Sequence, residues 1–334
     1  MWPGSTTRIQ GILPTYLKEF KMGVTAMAKF QQVVEWTKMD EDKRPGFIAT
    51  YIPEVDQAGH GYGPNSVEVE HQVKIVDKAI GYLRRELVGL DYEIMVVSDH
   101  GMTTSRIPKD YVYIEDLFLD EELVNNVCGL YLWPIGGIVP CDPAATELLY
   151  NKLKQSLKGN KKLQHAIQGV YLKHEIPERL HYSSASNQRI PPILILSRPP
   201  FIITSRKINP DSVMMTANNR SMGGDHHDIP EFYDMDMDMD MDMDMDMDMD
   251  MDMDMDMDMD NKRSSRIIGT HGYDNVVEDM QAMFISSIQI KNTKTRQKLY
   301  KKIKNVDLYN LMCLMLDITP APNNGTTYSI SNHI

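Results

Sequence analysis

Apolar residues at Val69, Val73, Val76, Ile80, Leu83 and Leu87 step along the chain by four and three, the spacing that gathers side chains into one stripe of an α-helix. Asn65, three positions before Glu68, supplies a cap and a capping-box partner at its start. The pattern changes on either side. Gly46 to Ile52 and Tyr92 to Ser98 are short apolar runs, the second with the length and β-branched content of a buried strand in a parallel sheet. Strand, helix, strand in that order is a crossover unit. It predicts an α/β fold, a mostly parallel sheet flanked by helices. Residues 111–186 mix short apolar runs with a Lys-rich helix from Thr146 to Gly159 and are read as a cap-like subdomain, after which Pro191 to Leu196 returns as a strand.

Period two takes over at Met235 to Asp260, where thirteen Met-Asp pairs follow one another. A strand would put every Met on one face and every Asp on the other, a helix would scatter both, and a row of like charges opposes either arrangement. The expectation is a largely disordered insertion over 206–265; weak capture of divalent cations by the clustered carboxylates is the functional alternative.

Chemistry gathers in three separated blocks: Asp56-Gln-Ala-Gly-His60, Ser98-Asp99-His100-Gly101 and Gly269-Thr-His271-Gly-Tyr-Asp-Asn275. The first leaves an apolar run and is broken by Pro53, Gly59, Gly61, Gly63 and Pro64, so it reads as a turn-rich loop at a strand end, where metal ligands are commonly mounted. The second ends the run Tyr92 to Ser98. Neighbours in a strand point to opposite faces, so Asp99 and His100 reach one ion only if the strand stops there, which Gly101 eases. In the third, Gly269 and Gly272 let backbone crowd close to an ion beside His271. The candidate metal ligands are therefore Asp56, His60, His271, Asp99 and His100.

These blocks, with Trp2-Pro-Gly-Ser5 before them, resemble the nucleotide pyrophosphatase/phosphodiesterase family of the alkaline phosphatase superfamily. Val170 to Tyr182, Asn187 to Ile193, Asp307 to Cys313 and Ala321 to Thr326 extend the resemblance over roughly residues 1–205 and 266–330. It implies an alkaline phosphatase-like catalytic domain, incomplete at its N-terminus. It also implies two zinc ions, one held by Asp56, His60 and His271, the other by Asp99 and His100 with an upstream Asp and a nucleophilic Thr. The implied reaction is attack of that Thr on a phosphodiester or pyrophosphate, then hydrolysis of the phosphoryl-enzyme. No Thr-x-Pro-Asn nucleophile signature occurs in these residues, and Thr319-Pro-Ala-Pro-Asn323 has the wrong spacing. The chain is thus expected to carry the metal ligands and no catalytic nucleophile, leaving the reaction impaired. A catalytically inactive, zinc-stabilised binding domain is the alternative. A phosphomonoesterase or sulfatase branch would share the scaffold, but Gly-Tyr-Asp-Asn argues against it. Gly223-Gly-Asp-His226 resembles the start of the third block, making His226 a rival to His271; only His271 is followed by Gly-Tyr-Asp-Asn.

Composition adds constraints. The formal charge of −12 is deceptive, because removing the thirteen aspartates of the repeat moves it to +1, so nucleic acid is not a favoured partner. Seven Lys or Arg between Lys291 and Lys304 read as a solvated helix face. The expected substrate is a small nucleotide or lipid phosphodiester. Zinc suits two His and a carboxylate, as manganese or cobalt also would. Cys128, Cys141 and Cys313 allow at most one disulfide, and Asn219-Arg-Ser221 and Asn324-Gly-Thr326 are glycosylation acceptors by pattern. The sequence shows neither a signal peptide nor a membrane-spanning run. The resemblance implies an extracellular or cell-surface setting, with any membrane attachment through segments outside these residues.

Overall fold

The computed structural model describes residues 14–118, 126–182, 187, 189–206, 265–287 and 303–326. The Met-Asp tract, His226, Asn219, the Trp2 to Ser5 block and all but the end of the basic run at 291–304 lie outside them. In chain order the elements are helices α1 (Ala26–Thr37), α2 (Glu54–Tyr62) and α3 (Val67–Glu86), strands β1 (Met95–Val97), β2 (Thr103–Ile107) and β3 (Tyr111–Tyr113), and the short helix α4 (Ile114–Leu117). Strands β4 (Val127–Tyr131) and β5 (Gly136–Pro140) follow, then α5 (Thr146–Gly159), α6 (Lys161–Ala166), β6 (Ile167–Leu172), β7 (Ile193–Ser197), β8 (Ile202–Thr204), β9 (Arg266–Thr270), β10 (Phe284–Ser286) and α7 (Asp307–Met315).

The predicted helical stripe is α3, capped one residue later than expected. Ser66, not Asn65, accepts a hydrogen bond from the Val69 amide at 3.3 Å. Glu68 and Glu70 in the first turn and Arg84 and Arg85 in the last complement the helix dipole. Ala79, Leu83 and Leu87 are buried against Phe30, Val33 and Val34 of α1, with Val76 and Ile80 at the edge of the same cluster. Val73 breaks the stripe at 47% exposure, because the cluster covers only the C-terminal half of the helix, from Val76 onward.

The α/β class holds, but the expected mostly parallel sheet does not describe the ladders seen. Among the described residues one of the six strand pairings is parallel, β3 with β8. The largest sheet is four-stranded and antiparallel in the order β4-β5-β7-β6. It lies at the centre of the main core, where Leu149 and Leu153 of α5 pack with Ile138, Ile193 and Ile195. The helix Thr146–Gly159 and the strand near 191–196 both form as read. β7 completes the sheet, so the stretch 111–186 packs as one body with residues beyond its end. A disulfide between Cys128 and Cys141 ties β4 to β5, and Cys313 is a buried free thiol.

Two strand expectations need correction. Residues 46–52 form no ladder among the described residues; Ile48 and Ile52 instead rest against the α1–α3 cluster. In 92–98 only Met95–Val97 is paired, antiparallel to β10, and Val97 and Ile285 are exposed rather than buried. Apolar content marks residues that want cover, whereas a strand requires a partner edge, which a single run cannot specify.

Candidate metal centre

Asp56 and His60 stand on helix α2, not on a loop. Pro53 sits just ahead of the first helical residue, where its missing N–H costs nothing, and Gly63, at φ +89°, ends the helix. On a helix an i, i+4 spacing puts both side chains on one face, and the His60 Nε2 to Asp56 Oδ2 distance is 3.6 Å.

What brings this face to the third block is a glycine contact. A Cβ on Gly269 would lie 2.3 Å from the Gly59 carbonyl oxygen and 2.3 Å from Met102 Sδ. β9 therefore runs against α2 at backbone distance, and that approach lets His60 Nδ1 donate to the Gly269 carbonyl at 2.9 Å. Gly269 was expected to make room for an ion; the room it makes is for α2. Gly101 behaves alike, since a Cβ there would meet the Asp279 carbonyl oxygen at 2.1 Å. The segment 279–281 thus closes over the end of the second block, where the Gly101 amide donates to the Met280 carbonyl at 3.2 Å.

The result is convergence. Asp56 Oδ1 lies 3.7 Å from His271 Nε2 and 4.0 Å from His100 Nε2. His60 Nε2 is 3.1 Å from His271 Nε2, and the rings of His100 and His271 stack with centroids 3.5 Å apart. Asp56, His100 and His271 offer ligand atoms all within 4.8 Å of one another, a group able to hold a metal ion. The sequence-based division put Asp56, His60 and His271 on one ion and Asp99 with His100 on another. In the structure Asp56 joins the two sets, one carboxylate oxygen toward His60 and the other toward His271 and His100. Asp99 stands at the rim, its side chain 75% exposed and its Oδ1 3.5 Å from His100 Nε2.

His60 and His100 each place Nδ1 on a carbonyl, Gly269 and Gly101; a carbonyl only accepts, so Nδ1 carries a hydrogen and Nε2 is the ring nitrogen turned toward the centre. His271 is pushed down to about 4, first by burial and then by the neighbouring His100 and His60, against the opposing pull of Asp56 and Asp99. Asp56 Oδ1 is buried with no hydrogen-bond partner.

Two features escaped the sequence reading. Tyr51, 62% exposed, lies close enough to Asp56, Asp99 and Glu54 that, after burial, their carboxylates raise its phenol, and its ring sits 6.0 Å from that of Phe20. Its position five residues before Asp56 was the available signal. The second is the loop after His271. Gly272, at φ +100°, turns the chain over Pro134, whose Cδ would lie 3.2 Å from a Cβ there. Asp274 is then buried, accepting from Arg179 Nη1 at 2.6 Å and Nη2 at 2.5 Å, from Gln168 Nε2 at 2.7 Å and from the Val276 amide at 3.1 Å.

The Arg179 hydrogen bonds hold the Asp274 carboxyl down at about 2, against 3.8 for a free side chain. A folded-state value below the unfolded one contributes stability that is present above pH 4 and lost as pH falls from there through about 2, worth about 2 kcal/mol at 1.36 kcal/mol per unit. Urea unfolding of the parent and of Asp274→Asn between pH 5 and pH 2 checks this. The variant is expected to lose less stability across that window by about that amount.

Residues 1–228 match the model of the type I phosphodiesterase/nucleotide pyrophosphatase family. Ectonucleotide pyrophosphatase/phosphodiesterase family member 1 is 28% identical in its Homo sapiens form and 30% in its Mus musculus form, each over 339 residues covering 100% of this chain and 30% of the relative. Venom phosphodiesterase 2 of Crotalus adamanteus is 27% identical over 349 residues, 34% of its length. The chain thus spans about a third of the length of these relatives. Among solved structures, murine ectonucleotide pyrophosphatase/phosphodiesterase 5 superimposes with a TM-score of 0.63 at 24% identity, over 98% of this chain and 68% of that one, which supports the fold. An inactive form of that protein has been solved with AMP. The chain belongs to the type I phosphodiesterase/nucleotide pyrophosphatase family.

Proposed function

We propose that this chain carries the zinc centre of a hydrolase that cleaves phosphodiester or pyrophosphate bonds in nucleotides or related phosphodiesters. The observation that carries the reading is Asp56 Oδ1, a buried carboxylate oxygen with no hydrogen-bond partner, facing His271 and His100. Such an oxygen costs about 1–3 kcal/mol unless something compensates it, and a cation does so. Two ligand atoms on one tetrahedral zinc stand roughly 3.3 Å apart. Within one ligand set, Asp56 lies 3.6 Å from His60 and 3.7 Å from His271, and the two imidazole nitrogens are 3.1 Å apart, separations near that value, which supports zinc.

In this reading Asp56, His60 and His271 hold one ion and Asp99 with His100 begin the second site. Bound zinc would polarise a phosphoryl oxygen and lower the pKa of a coordinated water. The chain's own residues do the rest. The Gly269 and Gly101 carbonyls fix the imidazole orientations of His60 and His100, Asp56 links the two ligand sets, and Tyr51 with Phe20 offers exposed aromatic surface beside the centre on which a planar base can stack. The AMP complex of the structural neighbour favours a nucleotide over a lipid substrate. The disulfide Cys128–Cys141 and the ecto- and venom relatives support an extracellular setting. No helix among the described residues is long and apolar enough to cross a membrane.

None of the 334 residues forms a Thr-x-Pro-Asn, which favours zinc binding without turnover for this segment. The test is the purified chain with zinc and a nitrophenyl phosphodiester of a nucleotide. The expected result is zinc-dependent thermal stabilisation and no nitrophenol release above background. Turnover that His271→Ala abolishes would overturn the inactivity while upholding the centre.

A further inference from the structure

We infer that Arg179 and Asp274 are positioning residues for the metal centre, fixing the His271 loop against the four-stranded sheet; the inference rests on His271 being a metal ligand. Asp274 lies three residues after His271 and is 2% exposed. Its partners come from far along the chain. Gln168 is on β6, and Arg179 is in the 3-10 turn Glu178–Leu180 that follows it. Arg179 Nη1 also reaches Asn275 Oδ1 at 3.0 Å, so one guanidinium grips two consecutive residues of the loop.

The stem of the loop is held independently. Tyr273 is buried and its hydroxyl lies 3.0 Å from Thr270 Oγ1, which is itself 3.0 Å from Ser105 Oγ. These contacts tie β9 to β2. The Asp274 clamp is what ties the loop to the sheet carrying β6. His271 stands between the two attachments, so its imidazole is aimed by both.

Energetics argues for positioning rather than mere adhesion. Attraction to an arginine whose side chain is 43% exposed holds the buried carboxylate in its charged form, but charge attraction alone sets no direction. What a bidentate fork adds is orientation, because two parallel hydrogen bonds fix the carboxylate plane as well as its distance. All four contacts on the Asp274 oxygens are spent on protein donors, so this carboxylate holds the loop and does not compete as a ligand. Partners of this kind, one step outside the ligands, typically change metal affinity 10–100-fold when removed.

The experiment measures the zinc Kd of the full chain by competition with a chromophoric chelator, and the visible spectrum of its cobalt form, for Arg179→Lys, Arg179→Gln, Asp274→Asn and the Arg179→Gln/Asp274→Asn double variant. Each single variant is expected to weaken zinc about 10-fold or more and to alter the cobalt bands. The double should be no weaker than the worse single. Arg179→Lys keeps the charge but loses the fork, so it too should weaken binding. Leu153→Ala, in the core of the four-stranded sheet, is the control for stability alone and should lower Tm with Kd and spectrum unchanged. If His271→Ala binds zinc as tightly as the parent, the metal-centre reading itself fails. If His271→Ala loses zinc while the Arg179 and Asp274 variants keep parental Kd and spectrum, only the positioning role is overturned. Should Asp274→Asn not fold, the half-exposed Arg179→Lys decides alone.

Discussion

Gly269→Ala is expected to cost the chain its metal centre although it replaces none of the ligating side chains. The added methyl would meet the Gly59 carbonyl oxygen and Met102 Sδ, both at 2.3 Å. Met102 can swing aside; the carbonyl belongs to the backbone of α2 and cannot. Helix and strand must separate by on the order of an ångström, and overpacking of that kind costs typically about 1–3 kcal/mol. The separation breaks the Gly269 carbonyl contact of His60 and carries His60 away from His271, so zinc affinity should fall at least about 100-fold, beyond the usual effect of an outer partner. Gly61→Ala is the control in the same helix, since a Cβ there meets nothing within 4 Å and alanine is the better helix former. It should keep zinc affinity and gain up to about 1 kcal/mol. Equal zinc affinity in Gly269→Ala and the parent would show that the close approach of α2 and β9 is not what assembles the site.

Asp56→Asn should lose zinc as completely as any single substitution and yet leave the zinc-free chain no less stable than the parent. The carboxylate faces three imidazoles, at 3.6, 3.7 and 4.0 Å, and its buried Oδ1 has no hydrogen-bond partner. Without a cation that oxygen is a burden of about 1–3 kcal/mol, which the isosteric amide relieves by replacing a charge with a neutral group. With zinc at a hundredfold excess over Kd the parent gains about 2.7 kcal/mol, a gain the variant forgoes. Thermal melts with and without zinc read both signs at once. A zinc-free Asp56→Asn that melts well below the zinc-free parent would instead make Asp56 a structural residue.

All five candidate ligands were legible in the sequence because each sits in a distinctive block, and the structure brings four of them, Asp56, His60, His100 and His271, into contact, with Asp99 at their rim. The supporting backbone was not legible. Pro53, Gly59, Gly61 and Gly63 look like loop punctuation, but Pro53 lies outside the helix, Gly59 leaves room for the Met102 side chain, and Gly63 ends the helix close against Ile267 of β9. Only the fold distinguishes these uses. Helices read better than strands. The bounds of α5 were read correctly and α3 was displaced by one residue at its cap, because helical periodicity and capping are local properties. α1 was missed, although Ala26, Phe30, Val33 and Val34 repeat at helical spacing behind a Thr25 cap. The runs 46–52 and 92–98 failed as buried strands because pairing is decided by another segment. The Arg179–Asp274 clamp was invisible for the same reason, its halves being 95 residues apart.

Convergence of the three blocks on bound metal is tested most directly by anomalous diffraction at the zinc edge from crystals of the zinc-loaded chain. The account requires a peak about 2.0–2.2 Å from an Asp56 carboxylate oxygen and from the Nε2 atoms of His60 and His271. Zinc found only elsewhere, for instance along the carboxylates of residues 235–260, with no peak among those three side chains, would contradict it.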